Sequence, residues 1–432
     1  MNVSKVQEKV MPVVNKISNN RYLKATSDGV AGALPVIIVG AIFTLLANFP
    51  FEPYQNFLAN TGLVTLFNLP ITFTTNLLSL YAVFFIGYKM SESFDCSGPI
   101  AGMISLLCFF IVTPLANVEG TSFISFEWLG ATGFFVAILV GLVVGRIYAL
   151  IVTKNIVIKM PAGVPPTIAQ SFTGLIPAFI ITPIFLTVSA IFANSSFGSI
   201  HALVYQFVQT PLQGLGGSFG ALLTVILVSH VLWLFGIHGT MVVFSIMMPI
   251  WTGLDMANLT AYNAGQPLPN IVGSAFLMTY VLVGGSGATM GMNIYMSFRA
   301  KSKRYKTLGA LALPGSVCGI NEPLIFGAPC IMNPRLAIPF IVSPIACATI
   351  AYLLTVTGIV PRLACIGLPL GTPLVVGGFL QGSWMIAALQ ILLIVVSFLI
   401  YLPFIRSLDK EAYAMEQQEE EDDVDFSDVV FD

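Results

Sequence analysis

Glu322 is the most unusual residue of this chain, because its carboxylate lies in the apolar stretch GINEPLIFG at residues 319–327. A carboxylate at membrane depth is costly unless it has partners or a polar cavity, and such residues are commonly functional. We therefore predict that Glu322 contacts a polar ligand together with Asn321, whose amide offers donors and acceptors. The alternative is structural, with Glu322 accepting hydrogen bonds from the free backbone N–H groups of residues 324–327.

Few other acidic residues compete with Glu322 for this role. Asp255 and Glu322 are the only acidic residues between Glu127 and Asp409. Asp255 belongs to the stretch WTGLDMANLTAYNAGQPLPN, which we interpret as a polar loop. We expect Asp255 to be an ordinary solvated or capping residue. Buried acid chemistry in the second half of the chain therefore centres on Glu322.

Two histidines, His230 and His238, lie in the stretch HVLWLFGIHG, where Gly236 and Gly239 disfavour a continuous helix. His238 lies at this break, open to a cavity, and we predict that it takes part in the chemistry. Gly239, at the same break, is a predicted substrate-binding position. His230 is more typical of a hydrogen-bonded core histidine.

Two further residues are predicted to contact the ligand. Trp233 lies between the two histidines, and an aromatic face beside polar groups is suited to hold a sugar through contacts with its C–H groups. The alternative for Trp233 is a place in the aromatic belt at the membrane surface. Asn293, further along the chain, is predicted to line the same cavity.

The stretch GGSG at residues 284–287 resembles the serine motif of intramembrane rhomboid proteases. Those enzymes also need a later histidine, and none of the three histidines of this chain follows Ser286. The glycines are more typical of close helix packing in a membrane. A hydrolase that uses Ser286 remains a rival hypothesis.

The sequence contains no pattern typical of a metal or nucleotide site. The six cysteines show no CxxC spacing, and HExxH is absent. A glycine-rich loop ending in GKS or GKT is also absent. We therefore predict no metal site and no cofactor.

Composition indicates an all-α polytopic membrane protein. The 432 residues are 56% hydrophobic and 9% charged, with a mean hydropathy of +0.89, whereas soluble domains are roughly 25% charged. We expect contact with membrane lipid and no nucleic-acid partner. In total we predict about ten transmembrane helices, two re-entrant hairpins and amphipathic helices at the interface.

Five apolar segments of the first half are long enough to cross a hydrocarbon layer of about 30 Å. They are residues 29–48, 69–88, 99–116, 131–153 and 174–194. The alternation of basic loops between them places the N-terminus in the cytoplasm. Interface helices are predicted within residues 1–28 and at 199–209.

The second half contains more apolar blocks than simple crossings allow. The basic loop Arg299–Lys306 should be cytoplasmic, and so should the C-terminus. These constraints are met by the following assignment: a re-entrant piece at 219–252, a span at 271–297, a re-entrant hairpin at 307–328 with Glu322 near its tip, and spans at 336–360 and 383–404. The acidic tail, residues 409–432, should be disordered from about residue 411.

The stretch GINEPLIFGAP at 319–329, together with HVLWLFGIHG at 230–239, resembles enzyme IIC of the bacterial sugar phosphotransferase system. The similarity runs over residues 1–408 and is greatest to the lactose/cellobiose/N,N′-diacetylchitobiose branch. It implies a homodimer in the bacterial plasma membrane. It also implies a five-span dimerisation and scaffold domain at 1–212 and a sugar-transport domain at 213–408.

This resemblance further implies an activity, the uptake of a disaccharide or β-glucoside. Its 6-hydroxyl would be phosphorylated by a phosphocysteine on a separate cytoplasmic IIB protein, which IIA and HPr supply with phosphate. Glu322 would contact that hydroxyl as general base, and His238 would hold the same region of the sugar. Asn321 and Trp233 would be further sugar contacts. The alternative is a proton- or sodium-coupled secondary transporter with Glu322 as the coupling carboxylate.

Overall fold

The computed structural model describes residues 19–427 together with 12 and 16, except 49–51, 119, 162, 329, 331–332 and 369–370. The predicted interface helix within residues 1–28 lies largely outside the described residues. The described part is built almost entirely of helices. Its two strands, β1 (Leu115–Val118) and β2 (Thr121–Ile124), pair in an antiparallel hairpin.

The described part of the first half forms eight α-helices, and each of the five predicted spans coincides with a helix or a helix pair. The helices are α1 (Arg21–Gly32), α2 (Leu34–Asn48), α3 (Glu52–Thr61), α4 (Leu63–Thr74), α5 (Leu78–Glu92), α6 (Gly98–Val112), α7 (Phe134–Thr153) and α8 (Pro166–Ala193). Asn20 begins the series, because its side chain accepts from the backbone N–H groups of Tyr22 and Leu23. Such capping stabilises a helix by about 1 kcal/mol.

Small residues let α5 and α7 pack closely in this half. A Cβ atom added to Gly145 would lie 2.7 Å from the carbonyl oxygen of Gly87, and one added to Gly141 would lie 3.0 Å from Ile86 Cβ. The apolar residues of α5, including Ile86 and Met90, are fully buried at this contact. Membrane helices associate by this kind of packing, because lipid offers no hydrophobic driving force.

The helices of the second half vary more in length and are interrupted more often. α9 (Ile200–Val204) continues through a π-turn at Tyr205–Gln209 into α10 (Thr210–Gly216). The remaining helices are α11 (Phe219–Leu234), α12 (Gly239–Asn263), α13 (Ser274–Phe276, followed by a π-turn at Leu277–Val281), α14 (Met290–Arg299), α15 (Lys303–Val317), α16 (Glu322–Gly327), α17 (Pro334–Val356), α18 (Val376–Leu380) and α19 (Trp384–Ser427).

The segment at 271–297, predicted to be one span, is not one uninterrupted helix. The helix stops after Val281 and resumes at Met290. Gly284, Gly285 and Gly287 lie between these points with positive φ angles of 77°, 96° and 81°. Glycine adopts this left-handed region without the strain that other residues pay there, so the glycines permit a non-helical segment. We call residues 282–289 the central break.

The position predicted for Asp255 is wrong in part. Asp255 lies within α12 rather than in a loop and is only 5% exposed. Its carboxylate accepts hydrogen bonds from Ser274 Oγ and from the backbone N–H of Ala275, at the start of α13. The capping role is therefore observed, but by a buried side chain that reaches across to another helix.

The acidic tail was predicted to be disordered, and this is wrong as far as Ser427. α19 continues without interruption from Trp384 through the described part of the tail. Glu, Gln, Lys and Ala, which dominate residues 410–421, are favourable helix formers. Carboxylates of this segment also contact the rest of the protein, as described below.

Seven described helices or helix pairs are long and apolar enough to cross a membrane, or eight if the pair Ile200–Gly216 and Phe219–Leu234, bent by 66°, counts as one span. The chain is thus an all-α polytopic membrane protein. α12 is among the seven, although its first part was predicted to belong to a re-entrant piece. The total of about ten spans and the two re-entrant hairpins remain predictions, because interrupted helices do not reveal crossings by length.

Candidate functional site

Glu322 lies at the start of a six-residue helix that follows a tight turn. α15 ends at Val317, and Gly319 turns the chain with a φ of 78°. α16 then begins at Glu322, with Pro323 in its first turn, where the missing N–H of proline costs nothing. The predicted helix break around GINEP is therefore observed, and it places Glu322 at the tip of the α15–α16 hairpin.

Asn321 attaches this tip to the central break. The side chain is 2% exposed, and its Nδ2 donates to Ser286 O at 2.7 Å and to Thr289 Oγ1 at 2.6 Å. A Cβ atom at Gly285 would lie 2.3 Å from Asn321 Cγ, so only glycine allows this approach. Asn321 therefore has a clear structural role beside Glu322.

His238 meets Glu322 from the break between α11 and α12. The distance from His238 Nε2 to Glu322 Oε1 is 3.7 Å, and the two side chains are 40% and 46% exposed. The backbone N–H of Met241 donates to His238 Nδ1 at 3.3 Å, so a neutral ring carries its proton on Nε2, facing Glu322. The distance is too long for a good direct hydrogen bond, and both groups are available to a ligand hydroxyl.

The second carboxylate oxygen of Glu322, Oε2, is placed to accept a hydrogen bond. Nearly half of the side chain is exposed, yet Oε2 is shielded from solvent and has no hydrogen-bond partner among the described residues. A buried acceptor without a donor costs free energy. A hydroxyl donor placed here would satisfy it.

Trp233 supports the histidine. Its ring centroid lies 4.3 Å from that of His238 at an angle of 46°, and its Nε1 donates to Thr240 Oγ1 at 3.2 Å. Trp233 is only 2% exposed, so it is not a tryptophan of the membrane-surface belt. In this structure the His238 ring lies against it, and its contact with sugar stays a prediction.

A buried group of hydroxyls behind Trp233 was not anticipated. Thr240 Oγ1 lies 3.0 Å from Ser286 Oγ and 3.2 Å from Ser229 Oγ. This group joins α11, α12 and the central break. Ser286 was considered only as a hydrolase nucleophile. Hydroxyl residues are common in membrane helices, and nothing in the sequence distinguishes Ser229 and Thr240.

The surroundings of Ser286 do not resemble a hydrolase site. His230 Nδ1 donates to Ile226 O at 2.7 Å, and His230 Nε2 accepts from the backbone N–H of Gly287 at 2.9 Å. Both ring nitrogens are thus engaged with the backbone. This matches the core histidine that we expected, and it leaves His230 unable to act as base for Ser286.

The other two predicted contact residues have packing roles in this structure. Asn293 is fully buried in α14, with its amide 2.7 Å from Ser316 Oγ of α15. A Cβ atom on Gly239 would lie 1.8 Å from Ser229 O, so Gly239 permits the close contact of α11 and α12. Their contact with substrate remains a prediction.

A space of about 250 Å³ lies on the other side of the hydroxyl group. Its polar edge is formed by Ser229, His230 and Thr240, but most of its lining is apolar and includes Phe244 and Trp251. Sugar hydroxyls need polar partners, because an unpaired buried hydroxyl is costly. The Glu322 side of Trp233 is therefore the better place for a polar ligand.

The central break is also held from the opposite side by α19. Tyr401 Oη donates to Gly287 O at 2.8 Å, and Ser397 Oγ donates to Ala288 O at 2.5 Å. The backbone N–H of Gly291 donates to Ser397 Oγ at 3.1 Å. The non-helical backbone of the central break thus finds partners in side chains, as non-helical backbone at membrane depth requires.

Comparison with known families gives one match over most of the chain. Residues 27–344 match the family model described as "Phosphotransferase system, EIIC". The lichenan permease IIC component of Bacillus subtilis (strain 168) is 37% identical over 421 residues, which cover 94% of this chain and 93% of that protein. The cellobiose-specific EIIC component of Geobacillus stearothermophilus is 36% identical, with 95% of both chains covered.

A solved structure has the same fold. The crystal structure of the transporter ChbC, the IIC component of the N,N′-diacetylchitobiose-specific phosphotransferase system, superposes with a TM-score of 0.89 at 35% sequence identity. The match covers 95% of this chain and 99% of that chain. The arrangement of interrupted helices around the candidate site is therefore that of a known membrane transporter.

Proposed function

The chain belongs to the phosphotransferase-system EIIC family, and on this premise we propose that it translocates a β-linked disaccharide or β-glucoside for phosphorylation at its 6-hydroxyl. It is a multi-pass protein of the bacterial plasma membrane. The sugar class rests on its relatives, which include cellobiose, lichenan and diacetylchitobiose systems. The choice among such sugars is part of the test below.

One observation carries the chemical part of the proposal: His238 Nε2 lies 3.7 Å from Glu322 Oε1, and Oε2 of the same carboxylate has no hydrogen-bond partner among the described residues. A sugar hydroxyl at this point donates to Glu322 Oε2. The same hydroxyl oxygen accepts from His238 Nε2. The two residues together hold one hydroxyl by its proton and by its lone pair.

The reaction needs little covalent work from these residues. In phosphoryl transfer the protein mainly positions the groups and stabilises charge. The 6-hydroxyl oxygen bonds to the phosphorus of a phosphocysteine on the IIB protein, the S–P bond breaks, and the cysteine leaves as a thiolate. The hydroxyl proton moves to Glu322, the general base.

The proposal includes the partners and the domain plan. IIB donates the phosphoryl group and is recharged by IIA and HPr. Residues 1–212 form the scaffold of a homodimer, and residues 213–408 carry the sugar by alternating access. The helices are interrupted more often in the second half than in the first, which supports this division.

The test is uptake into membrane vesicles that contain the protein and a phosphoenolpyruvate-fed relay ending in IIB. Radiolabelled cellobiose, lactose and diacetylchitobiose are supplied in parallel. We expect at least one of them to accumulate as the 6-phosphate, and only when IIB is present. Uptake of unmodified sugar that an uncoupler abolishes and that is indifferent to IIB would instead establish the coupled secondary transporter.

A further inference from the structure

The cytoplasmic part of α19 carries three carboxylates that bind the region around the α15–α16 hairpin. The first is Asp409, which is 1% exposed. It accepts from the backbone N–H of Lys301 at 3.0 Å, from that of Ser302 at 3.0 Å and from Tyr295 Oη at 3.0 Å. Asp409 therefore fixes the loop that leads from α14 into α15.

The second carboxylate, Glu416, lies two turns further along α19. It accepts from Ser302 Oγ at 2.6 Å and from the backbone N–H groups of Lys303 and Arg304 at 2.8 Å and 3.0 Å. These donors form the first turn of α15, where a helix favours negative charge. The hydrogen bond from Ser302 and those from the two backbone N–H groups lower the pKa of Glu416, as expected for a carboxylate held in its charged form.

The third carboxylate binds beyond the hairpin. Glu411 forms a two-oxygen ion pair with Arg335 Nη1 at 2.6 Å and 2.8 Å. Arg335 lies in the first turn of α17. Both side chains are about half exposed, so this pair adds little stability of its own. It adds a second attachment point, on the far side of the hairpin from Asp409 and Glu416.

We propose that Asp409, Glu411 and Glu416 form a carboxylate clip that sets the position of Glu322. The clip holds the start of the hairpin and the start of the helix that follows it on one rigid element, α19. His238 belongs to the α11–α12 break and is not attached to the clip. The distance between His238 and Glu322 therefore depends on where the clip places the hairpin.

This inference rests on the proposed function, because Glu322 is taken as the base for the sugar hydroxyl. Misplacement of a reacting group by about 1 Å can lower a rate by as much as 100-fold. The clip residues act through Glu322 and touch no substrate, so they are positioning residues. Their loss should slow phosphorylation more than it weakens sugar binding.

The experiment compares Asp409→Asn, Glu416→Gln and the control Lys410→Gln, which neutralises an exposed residue on the same turn of α19. We expect phosphorylation by IIB to fall about tenfold or more in the first two variants. The dissociation constant for the sugar, measured without IIB, should change less than threefold. Lys410→Gln should match the unaltered protein in both.

Charge exchange provides the rescue. Arg335→Glu should lower phosphorylation, and the double variant Arg335→Glu with Glu411→Arg should restore it, because the ion pair is re-formed with reversed polarity. A loss of rate that the exchange does not restore would remove Glu411 from the clip.

Hydrogen exchange of residues 319–328 tests the geometry without any phosphorylation assay. We expect faster exchange there in Asp409→Asn and Glu416→Gln, but not in Lys410→Gln. Should Asp409→Asn fold poorly, Glu416→Gln at the partly exposed Glu416 decides. Two results would overturn the clip, provided that the unaltered protein is active. One is hydrogen exchange that is unchanged in the variants, and the other is phosphorylation by the variants at the rate of the unaltered protein. An unaltered protein with no IIB-dependent phosphorylation would instead overturn the proposed function.

Discussion

Glu322 and His238 come from distant parts of the chain and meet because each lies at an interruption of a helix. His238 caps α12 through its Nδ1, which fixes the ring and leaves Nε2 directed at Glu322. Glu322 in turn is held by the buried neighbour Asn321. The residues that perform the proposed chemistry are therefore oriented by hydrogen bonds that also build the fold.

Glu322→Gln tests the base. Glutamine keeps the size of the side chain and can still hydrogen-bond to a sugar, but its amide cannot take a proton at neutral pH. We expect sugar binding within about threefold of the unaltered protein and a loss of phosphorylation of 100-fold or more, in the range of general-base catalysis. Binding is measured by calorimetry and phosphorylation with purified IIB.

The matched control is Glu127→Gln, the same chemical change at an exposed position. It should leave both quantities unchanged. Phosphorylation at the normal rate in Glu322→Gln would show that another group accepts the proton.

His238 combines a ligand contact with a helix cap, and two variants separate these roles. His238→Ala removes both, so we expect sugar affinity to fall about tenfold, as expected for about 1.4 kcal/mol, and α12 to lose about 1 kcal/mol of capping stability. His238→Asn keeps a good cap but does not reach Glu322. It should lose affinity and retain thermal stability. Unchanged affinity in both variants would make His238 purely structural.

The sequence indicated the importance of these two residues but not the surroundings they depend on. Scarcity of acids and the cost of a carboxylate in the membrane pointed to Glu322. Thr240 and Ser229 carried no such signal, because a hydroxyl is cheap to bury when a partner is near, and the partner is known only from the fold. For the same reason, the burial of Asn293 against Ser316 was not foreseen.

Among the elements, the central break and the α15–α16 hairpin form one unit. The break supplies the acceptors for Asn321 at Ser286 and Thr289. It also supplies the backbone N–H that His230 binds. Two interruptions of regular helix thus satisfy each other, which allows non-helical backbone to persist inside a membrane protein.

Gly285→Ala tests this unit. The added Cβ would lie 2.3 Å from Asn321 Cγ, and the residue has a φ of 96°. We expect the hairpin to shift, with phosphorylation reduced at least tenfold and thermal stability lowered by about 1–3 kcal/mol. Gly358→Ala is the control, since Gly358 also has a positive φ, 76°, but nothing lies within 4 Å of an added Cβ.

The control should show the backbone strain without the loss of phosphorylation. Equal effects of the two variants on phosphorylation would mean that the contact between Gly285 and Asn321 has no special role.

At the scale of elements, the sequence predicts regular helices well but does not predict where helices are interrupted. The five segments of the first half were located from apolar length alone. The interruption within 271–297 was not predicted, because its glycines were interpreted as packing residues and instead adopt positive φ angles. Apolar composition is the same for a straight helix and a broken one, and only tertiary partners decide between them.

For the whole molecule, the distribution of basic residues predicts that both termini are cytoplasmic. In this orientation Arg362 lies on the outer side, as an exception to the rule that basic residues face the cytoplasm. The structure gives Arg362 a local task, because its Nη1 donates to Leu268 O and Pro269 O at 2.6 Å and 2.7 Å. These hydrogen bonds to loop carbonyls explain an arginine at this position independently of the membrane topology.

Labelling with a membrane-impermeant thiol reagent tests the orientation. In a cysteine-free background, we expect Thr357→Cys, at the outer end of α17, to react in intact cells. Tyr413→Cys, on the cytoplasmic part of α19, should react only in inverted vesicles. Both positions are exposed on the protein. Reaction of both cysteines from the same side would contradict the predicted crossing between α17 and the end of α19.

The length of α19 has a practical consequence. Its 44 residues extend about 66 Å at 1.5 Å per residue, roughly twice the hydrocarbon thickness of a bilayer. The same helix contacts the central break through Ser397 and Tyr401 and the loop before α15 through Asp409. The angle between the membrane and a spectroscopic label near the C-terminal end of α19 would therefore report any tilt of the central break during the proposed transport cycle.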